Sequence, residues 1–135
     1  MKCIPYRIGH ADAECLTHAL AAAIFGALGL PDIGQHFPPS DPQYKDMDSQ
    51  LILAFACQQL TSNHYRLLNV DITLIAEAPK IGPHIPDIRQ NLAHTLEIDS
   101  SQIGLKATTH EQLDAVGNKQ GICAHAVCLV QHRDA

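Results

Sequence analysis

Asn69-Val70-Asp71-Ile72-Thr73-Leu74-Ile75-Ala76-Glu77-Ala78-Pro79-Lys80-Ile81-Gly82-Pro83-His84-Ile85-Pro86 is the stretch that organises this chain. Residues 70–74 alternate apolar and polar side chains with a period of two, which predicts a strand buried on one face. Residues 76–83 cannot extend it, because Pro79 and Gly82 keep that segment irregular. Pro86 then falls in a first helical turn, where a missing N–H costs little, and predicts a helix over 86–96. Residues 103–107 read as the next strand.

Working outward, 12–28 is Ala- and Leu-rich with helical spacing, and Gly29 is a suitable stop. Residues 30–44, with four prolines and two Asp, read as a loop. Asp48 or Ser49 caps a second helix through about 62, with Leu51, Leu53, Ala54 and Cys57 spaced for burial. Beyond the strand at 103–107, residues 108–120 form a connection with a short helical turn, and 122–131 a final strand. Residues 1–9 are short and irregular, with Pro5 confining them to an edge strand or turn. Interleaved strands and helices in 135 residues give one domain, 1–135, of α/β (α+β) class, a sheet with helices packed on one face.

Composition narrows the function. An apolar fraction of 46% with 17% charged residues is that of an ordinary soluble domain. Aromatics make up 4% and Trp is absent, so Ala, Leu, Ile and Val must build the interior. A net charge of −5 leaves no basic stripe for a nucleic-acid backbone. Anionic small molecules remain suitable ligands, because local N–H groups and metals override the global sign. Cys3, Cys15, Cys57, Cys123 and Cys128 form no CxxC pair, and no secretory or membrane-spanning apolar run is present. That pattern reads as a cytoplasmic protein with reduced cysteines and no membrane partner.

Three segments hold the chemistry. His10, Asp12, Glu14, Cys15 and His18 crowd around a helix start, and the 14/18 and 15/18 spacings each share a helix face. They are plausible ligands for a borderline metal such as Zn²⁺, or else a solvated N-terminus complementing the helix dipole. Thr108-Thr109-His110-Glu111 ends a strand with hydroxyls that suit phosphate oxygens and a carboxylate that suits a hard cation, or else is a Thr-capped turn. Cys123-Ala124-His125-Ala126-Val127-Cys128 lies on a strand that sends Cys123 and His125 to one face and Cys128 to the other, so the three converge poorly.

The first two of these segments, with residues 32–41 and 69–86, resemble the family of 2-C-methyl-D-erythritol 2,4-cyclodiphosphate synthases, enzymes of the non-mevalonate isoprenoid pathway. Residues 76–81 match Ala-Gln-Ala-Pro-Lys-[Met/Leu/Ile], with the flanking 69–71 and 83–86 in register. Residues 10–20 are similar to His-Ser-Asp-[Gly/Ala]-Asp-Val-x-x-His-Ala-[Leu/Ile], and 106–113 to Lys-Ala-Thr-Thr-Thr-Glu-[Lys/Gln/Arg]-Leu, with His110 the departure. Further on, Gly-Phe-x-Gly-Arg is replaced by Asp114-Ala115-Val116-Gly117-Asn118. Asp32-Ile33-Gly34 followed by Phe37-Pro38-Pro39-Ser40-Asp41 resembles the loop that holds the erythritol moiety, where the family usually has Phe-Pro-Asp-Thr-Asp.

The resemblance implies metal-assisted phosphoryl transfer that makes the cyclic diphosphate and releases CMP. It makes His10 and Thr109 the catalytic pair, and gives substrate contacts to His10 and Ala11. The 32–41 loop would hold substrate through Asp32, Ile33, Gly34, Phe37, Pro38, Pro39, Ser40 and Asp41. Ala76, Glu77, Ala78, Pro79, Lys80, Ile81 and Gly82 would read the cytosine, and Thr108, Thr109, His110 and Glu111 the diphosphate. His18 would ligate Zn²⁺ and Glu111 a Mg²⁺ or Mn²⁺. It further implies a homotrimer with its sheets facing the three-fold axis and its sites between subunits.

Family members also open with Arg-[Ile/Val]-Gly-x-Gly-x-Asp-x-His, two of whose residues complete the zinc site. Here Cys3-Ile4-Pro5-Tyr6 and Arg7-Ile8-Gly9-His10 echo parts of that region, but no Asp-x-His pair precedes His18. One zinc ligand therefore transfers, with Glu14, Asp12, Cys15 or a neighbouring subunit as substitutes. The alternative reading is a binding protein for a cytidine nucleotide or isoprenoid diphosphate on the same scaffold, with catalysis impaired.

Overall fold

The computed structural model describes residues 10–44, 47–77, 81–118 and 121–134, with side chains from residue 14 onward. The expected structure of 1–9 lies outside the described residues. Among the described residues, five α-helices and three strands follow in the order α1 (His10–Ala27), α2 (Ile33–His36), α3 (Ser49–Ser62), β1 (Tyr65–Ile75), α4 (Ile85–Leu96), β2 (Ile103–Thr108), α5 (Asp114–Gly117), β3 (Cys123–His132). The sheet order is β2-β1-β3. β1 runs parallel to β2, Val70 opposite Ile103 through Ile75 opposite Thr108. It runs antiparallel to β3, Tyr65 opposite His132 and Ile75 opposite Cys123.

β1 is much longer than the expected 70–74. Its buried positions are Leu67, Val70, Ile72 and Leu74, so period two fails between the first two. The cause is a bulge. Leu67 pairs with Val130 and Asn69 with Leu129, which leaves Leu68 as an extra residue that resets the phase. The Leu68 carbonyl accepts from Gln102 Nε2 at 2.7 Å, so the residue left out of the ladder is still satisfied.

One sheet face carries the core. Val70, Ile72, Leu74 and Ile103 pack with Leu16, Leu20, Ile24 and Phe25 of α1, Leu53 and Ala56 of α3, and Ile88 and Leu92 of α4. Ala124, Ala126, Cys128 and Val130 of β3 join from the same side. The interior is aliphatic as expected apart from Phe25, which stands in a ring cluster with His36 and Phe55. The opposite face is open: Val127 is 64% and Leu129 58% exposed. Among the described residues no helix is long and apolar enough to cross a membrane.

Local chemistry ends these elements. Leu30 N–H donates to the Phe25 carbonyl at 2.9 Å, and Gly29 takes a φ of +69°, a left-handed turn that stops α1. Asp48 caps α3 by accepting from Gln50 N–H at 2.9 Å. The buried stripe of α3 is Ser49, Ile52, Leu53, Ala56 and Leu60. Leu51 and Ala54, expected inside, are exposed. The helix is apolar almost all round, so spacing alone did not select the face. The expected loop over 30–44 contains α2, capped by the Asp32 carboxylate accepting from Gln35 N–H at 3.2 Å, and a 3₁₀ turn over Pro42–Tyr44. Both are single turns set by Asp side chains, Asp41 bonding Gln43 N–H at 3.1 Å.

Candidate active site

Parallel pairing brings the ends of β1 and β2 side by side, and Ala76 N–H continues the ladder by donating to the Thr108 carbonyl at 3.1 Å. Chain leaving the carboxyl ends of adjacent parallel strands forms a crevice where open sheets bind ligands. Here Leu74, Ala76, Glu77, Ile81, Gly82, Pro83, Ala107, Thr108 and Thr109 line a cavity of about 240 Å³. Six residues expected at the site thus meet in one hollow. Ala78, Pro79 and Lys80 lie outside the described residues, as do the side chains of His10 and Ala11.

The 108–118 segment starts at that hollow, where Thr108 and Thr109 line it, and is tightly wound beyond. Glu111, Gln112 and Asp114 adopt φ values of 53°, 66° and 55°, left-handed conformations uncommon for residues with a Cβ. Several bonds hold them. Glu111 N–H donates to Thr109 Oγ1 at 3.1 Å. Gln112 N–H donates to Glu77 Oε1 at 3.0 Å, tying the segment after β2 to the one after β1. Asp114 Oδ1 accepts from Val116 and Gly117 N–H at 2.9 and 3.2 Å. His110 Nδ1 stands 2.9 Å from Asp114 Oδ2. The His110 hydrogen bond, with the Gly117 and Val116 N–H groups behind it, holds the Asp114 carboxyl below the ordinary carboxylate range.

Gly117 completes the winding. A Cβ there would stand 2.4 Å from the Gln112 carbonyl carbon, so the two backbones touch in a way only glycine permits. Sequence reasoning did not select Gln112, Asp114 or Gly117 as site residues. The 110/114 spacing was the available signal for the His–Asp pair.

His18 sits on α1 with Nε2 3.5 Å from Glu14 Oε2, the i,i+4 pairing expected from spacing. Neither lines the cavity. The 32–41 residues also stand apart from it: Phe37 packs edge-on against Tyr44 and Phe55, and Asp32 and Asp41 bond their own turns. A larger hollow, about 640 Å³, lies at the other end of the sheet between α3, α4 and the start of β1, and holds none of the expected site residues. Its Cys57 thiol is pushed up to about 11 by burial and by Glu97, which leaves it a poor nucleophile at neutral pH.

A family model described as the YgbB family matches residues 2–131. The 2-C-methyl-D-erythritol 2,4-cyclodiphosphate synthase of Porphyromonas gingivalis is 51% identical over 122 residues, 90% of this chain and 75% of that protein. The enzyme of the same name from Chlorobium luteolum is 48% identical over 123 residues, 91% of this chain and 78% of its own. The IspF of Plasmodium falciparum in complex with CDP superposes with a TM-score of 0.80 at 35% identity, covering 93% of this chain and 76% of that one. The bifunctional IspDF of Campylobacter jejuni gives 0.85 at 35% identity, over 91% of this chain and 33% of that one. The chain belongs to the YgbB family, whose relatives named here are cyclodiphosphate synthases.

Proposed function

We propose that this chain converts 4-diphosphocytidyl-2-C-methyl-D-erythritol 2-phosphate to the 2,4-cyclodiphosphate with release of CMP. The observation that carries the reading is the single cavity shared by Ala76, Glu77, Ile81 and Gly82 with Thr108 and Thr109. The first set belongs to a segment that resembles the family's cytosine-reading loop, and the second to one that resembles its diphosphate-binding motif. An oxygen of the 2-phosphate attacks the β-phosphorus, and the bond from that phosphorus to the CMP oxygen breaks. Such a transfer needs positioning and charge neutralisation more than covalent help from protein.

Thr109 is set up for this work. Its Oγ1 accepts from Glu111 N–H at 3.1 Å, which leaves the hydroxyl proton to donate to an equatorial phosphate oxygen. Glu77, by holding Gln112 N–H, keeps the cytosine end and the phosphate end at a fixed separation. His10 would approach the reacting phosphate from another subunit.

The family also implies metals. Glu111 fits a Mg²⁺ or Mn²⁺, because such ions take one or two carboxylates and complete their shells with phosphate oxygens and water. That ion would neutralise charge on the diphosphate. For Zn²⁺ the described donors are insufficient: His18 and Glu14 stand together, but among the described residues no group of three or more His, Cys, Asp or Glu does.

A homotrimer places each site between subunits. Supporting it, the apolar Val127 and Leu129 stand exposed on one face of β3, at a sheet edge among the described strands. Light scattering at micromolar concentration should give roughly three times the 14.7 kDa chain mass, and a clean monomer would remove the shared site. Turnover of the authentic substrate to CMP tests the activity and separates it from a binding-only scaffold. CDP with Mg²⁺ should raise Tm and ADP should not. Equal shifts with both would count against the cytidine site.

A further inference from the structure

The segment between α1 and α3 encloses an imidazole nitrogen without a partner. His36 Nε2 is buried and bonds nothing, and among the described residues no other buried side-chain nitrogen or oxygen is left so. The ring stands among other rings, its centroid 4.9 Å from that of Phe25, 5.3 Å from Phe55 and 6.4 Å from Phe37. None of these offers the nitrogen a conventional hydrogen bond. A buried polar atom left unpaired costs desolvation free energy that an apolar group of the same shape does not. Native proteins keep few such atoms, and each calls for an explanation.

The way the segment is attached supplies one. Among the described residues, 31–44 close all their hydrogen bonds within 32–47. His36 and Phe37 N–H donate to the Asp32 and Ile33 carbonyls at 3.4 and 2.8 Å, and Asp41 and Tyr44 N–H to the Pro38 and Asp41 carbonyls at 3.0 Å each. The Asp32 and Asp41 carboxylates accept from Gln35 and Gln43. None of these bonds reaches α1, α3 or the sheet. Attachment is by the packing of Ile33, Phe37 and the His36 ring, and no residue of α2 is fully buried. A locally bonded unit held by shallow apolar contacts can open without unfolding the rest. Opening breaks none of its own hydrogen bonds and gives Nε2 to water.

We propose that 31–44 is a strap that opens as a unit to admit substrate, and that His36 is its latch. Seating the ring holds the strap shut, while the unpaired Nε2 keeps the shut form shallow enough to open. The proposal rests on the function proposed above, in which residues 32–41 hold the erythritol end of the substrate. His36 is a positioning residue and touches no reacting atom.

The test is hydrogen exchange at the His36, Phe37, Asp41 and Tyr44 amides of the full-length chain, with turnover measured on the same samples. His36→Leu, close to imidazole in volume, and His36→Phe, which keeps a ring, each remove the orphaned nitrogen. Both should slow exchange by about 5- to 150-fold, the span expected for one unpaired buried group, and raise Tm. With the open form rarer, KM for 4-diphosphocytidyl-2-C-methyl-D-erythritol 2-phosphate should rise by the same factor at unchanged kcat. CDP affinity should stay as it is, because the strap does not line the cavity of Ala76 and Thr109. A residue with only a packing role would lower Tm on substitution and leave KM in place. Exchange as fast as the parent's or faster in both variants, or slowed exchange with an unchanged KM, would overturn the proposal. If the parent chain does not turn over the substrate, the proposed function fails, and the exchange rates alone decide the latch.

Discussion

Gly117→Ala is the sharpest probe of the tight winding after β2. The added methyl would stand 2.4 Å from the Gln112 carbonyl carbon, 2.8 Å from its Cα and 3.1 Å from its nitrogen. All three are backbone atoms, so no side-chain rotation relieves the overlap. Gln112 must retreat by about an ångström to reach ordinary carbon–carbon contact near 3.5–4.0 Å. That retreat pulls its N–H from the Glu77 carboxylate, now 3.0 Å away. Overpacking of this kind costs about 1–3 kcal/mol, and a hydrogen bond to a charged group adds about 1.5 kcal/mol. Alanine's better helix propensity returns about 1 kcal/mol at most. The net expectation is a loss of roughly 1.5–3.5 kcal/mol, or about 5–14 °C in Tm for a domain of this size. CDP–Mg²⁺ affinity should fall as well, because Thr109 and Glu111 belong to the displaced segment. Thermal melts with and without CDP measure both effects. A variant that melts and binds CDP like the parent would refute the close approach as a constraint.

Other substitutions separate the remaining links. Glu77→Ala should weaken CDP–Mg²⁺ binding by about tenfold, the equivalent of one charge-assisted bond of ~1.4 kcal/mol, while Glu77→Gln, which keeps the acceptor, should recover most of it in calorimetric titration. The Asp114 carboxyl is held low, so its contribution is present above the unfolded value near 3.9 and lost as pH falls through the lower folded value. Asp114→Asn should therefore flatten the acid limb of Tm against pH, and parallel curves would contradict that role. Leu53→Ala, at a fully buried site between α3 and the sheet, should cost about 2–5 kcal/mol in urea unfolding. Val127→Glu with Leu129→Glu should dissociate the proposed trimer by light scattering; an unchanged trimer mass would place the subunit interface elsewhere.

The elements were legible where a local signal was complete. Asp48 and Gly29 marked helix ends because capping uses neighbours in sequence. The first half of β1 was not, because the Leu68 bulge shifts the buried phase and defeats strict alternation. The face of α3 was misread because apolar residues surround that helix. At the candidate site, the cavity residues Ala76, Glu77, Ile81, Gly82, Thr108 and Thr109 fall within contiguous motifs. The contacts that hold them together do not: Glu77 and Gln112 are 35 residues apart, and no sequence rule pairs a side-chain carboxylate with that N–H. Gly117 looks like any glycine until the Gln112 backbone is beside it.

The partnership of the first helix with the last strand bears on how the chain is made. α1 packs on β3, and Cys128 reaches the Ala23 carbonyl across 105 residues of sequence. On a ribosome moving at about 5–20 residues per second, α1 emerges roughly 5–20 s before that partner strand exists. Leu20, Ile24 and Phe25, all at most 1% exposed in the finished fold, must spend that interval without β3. They are a natural binding stretch for a holdase chaperone. Chains stalled before residue 123 should be retained by such a chaperone and released once β3 has cleared the exit tunnel.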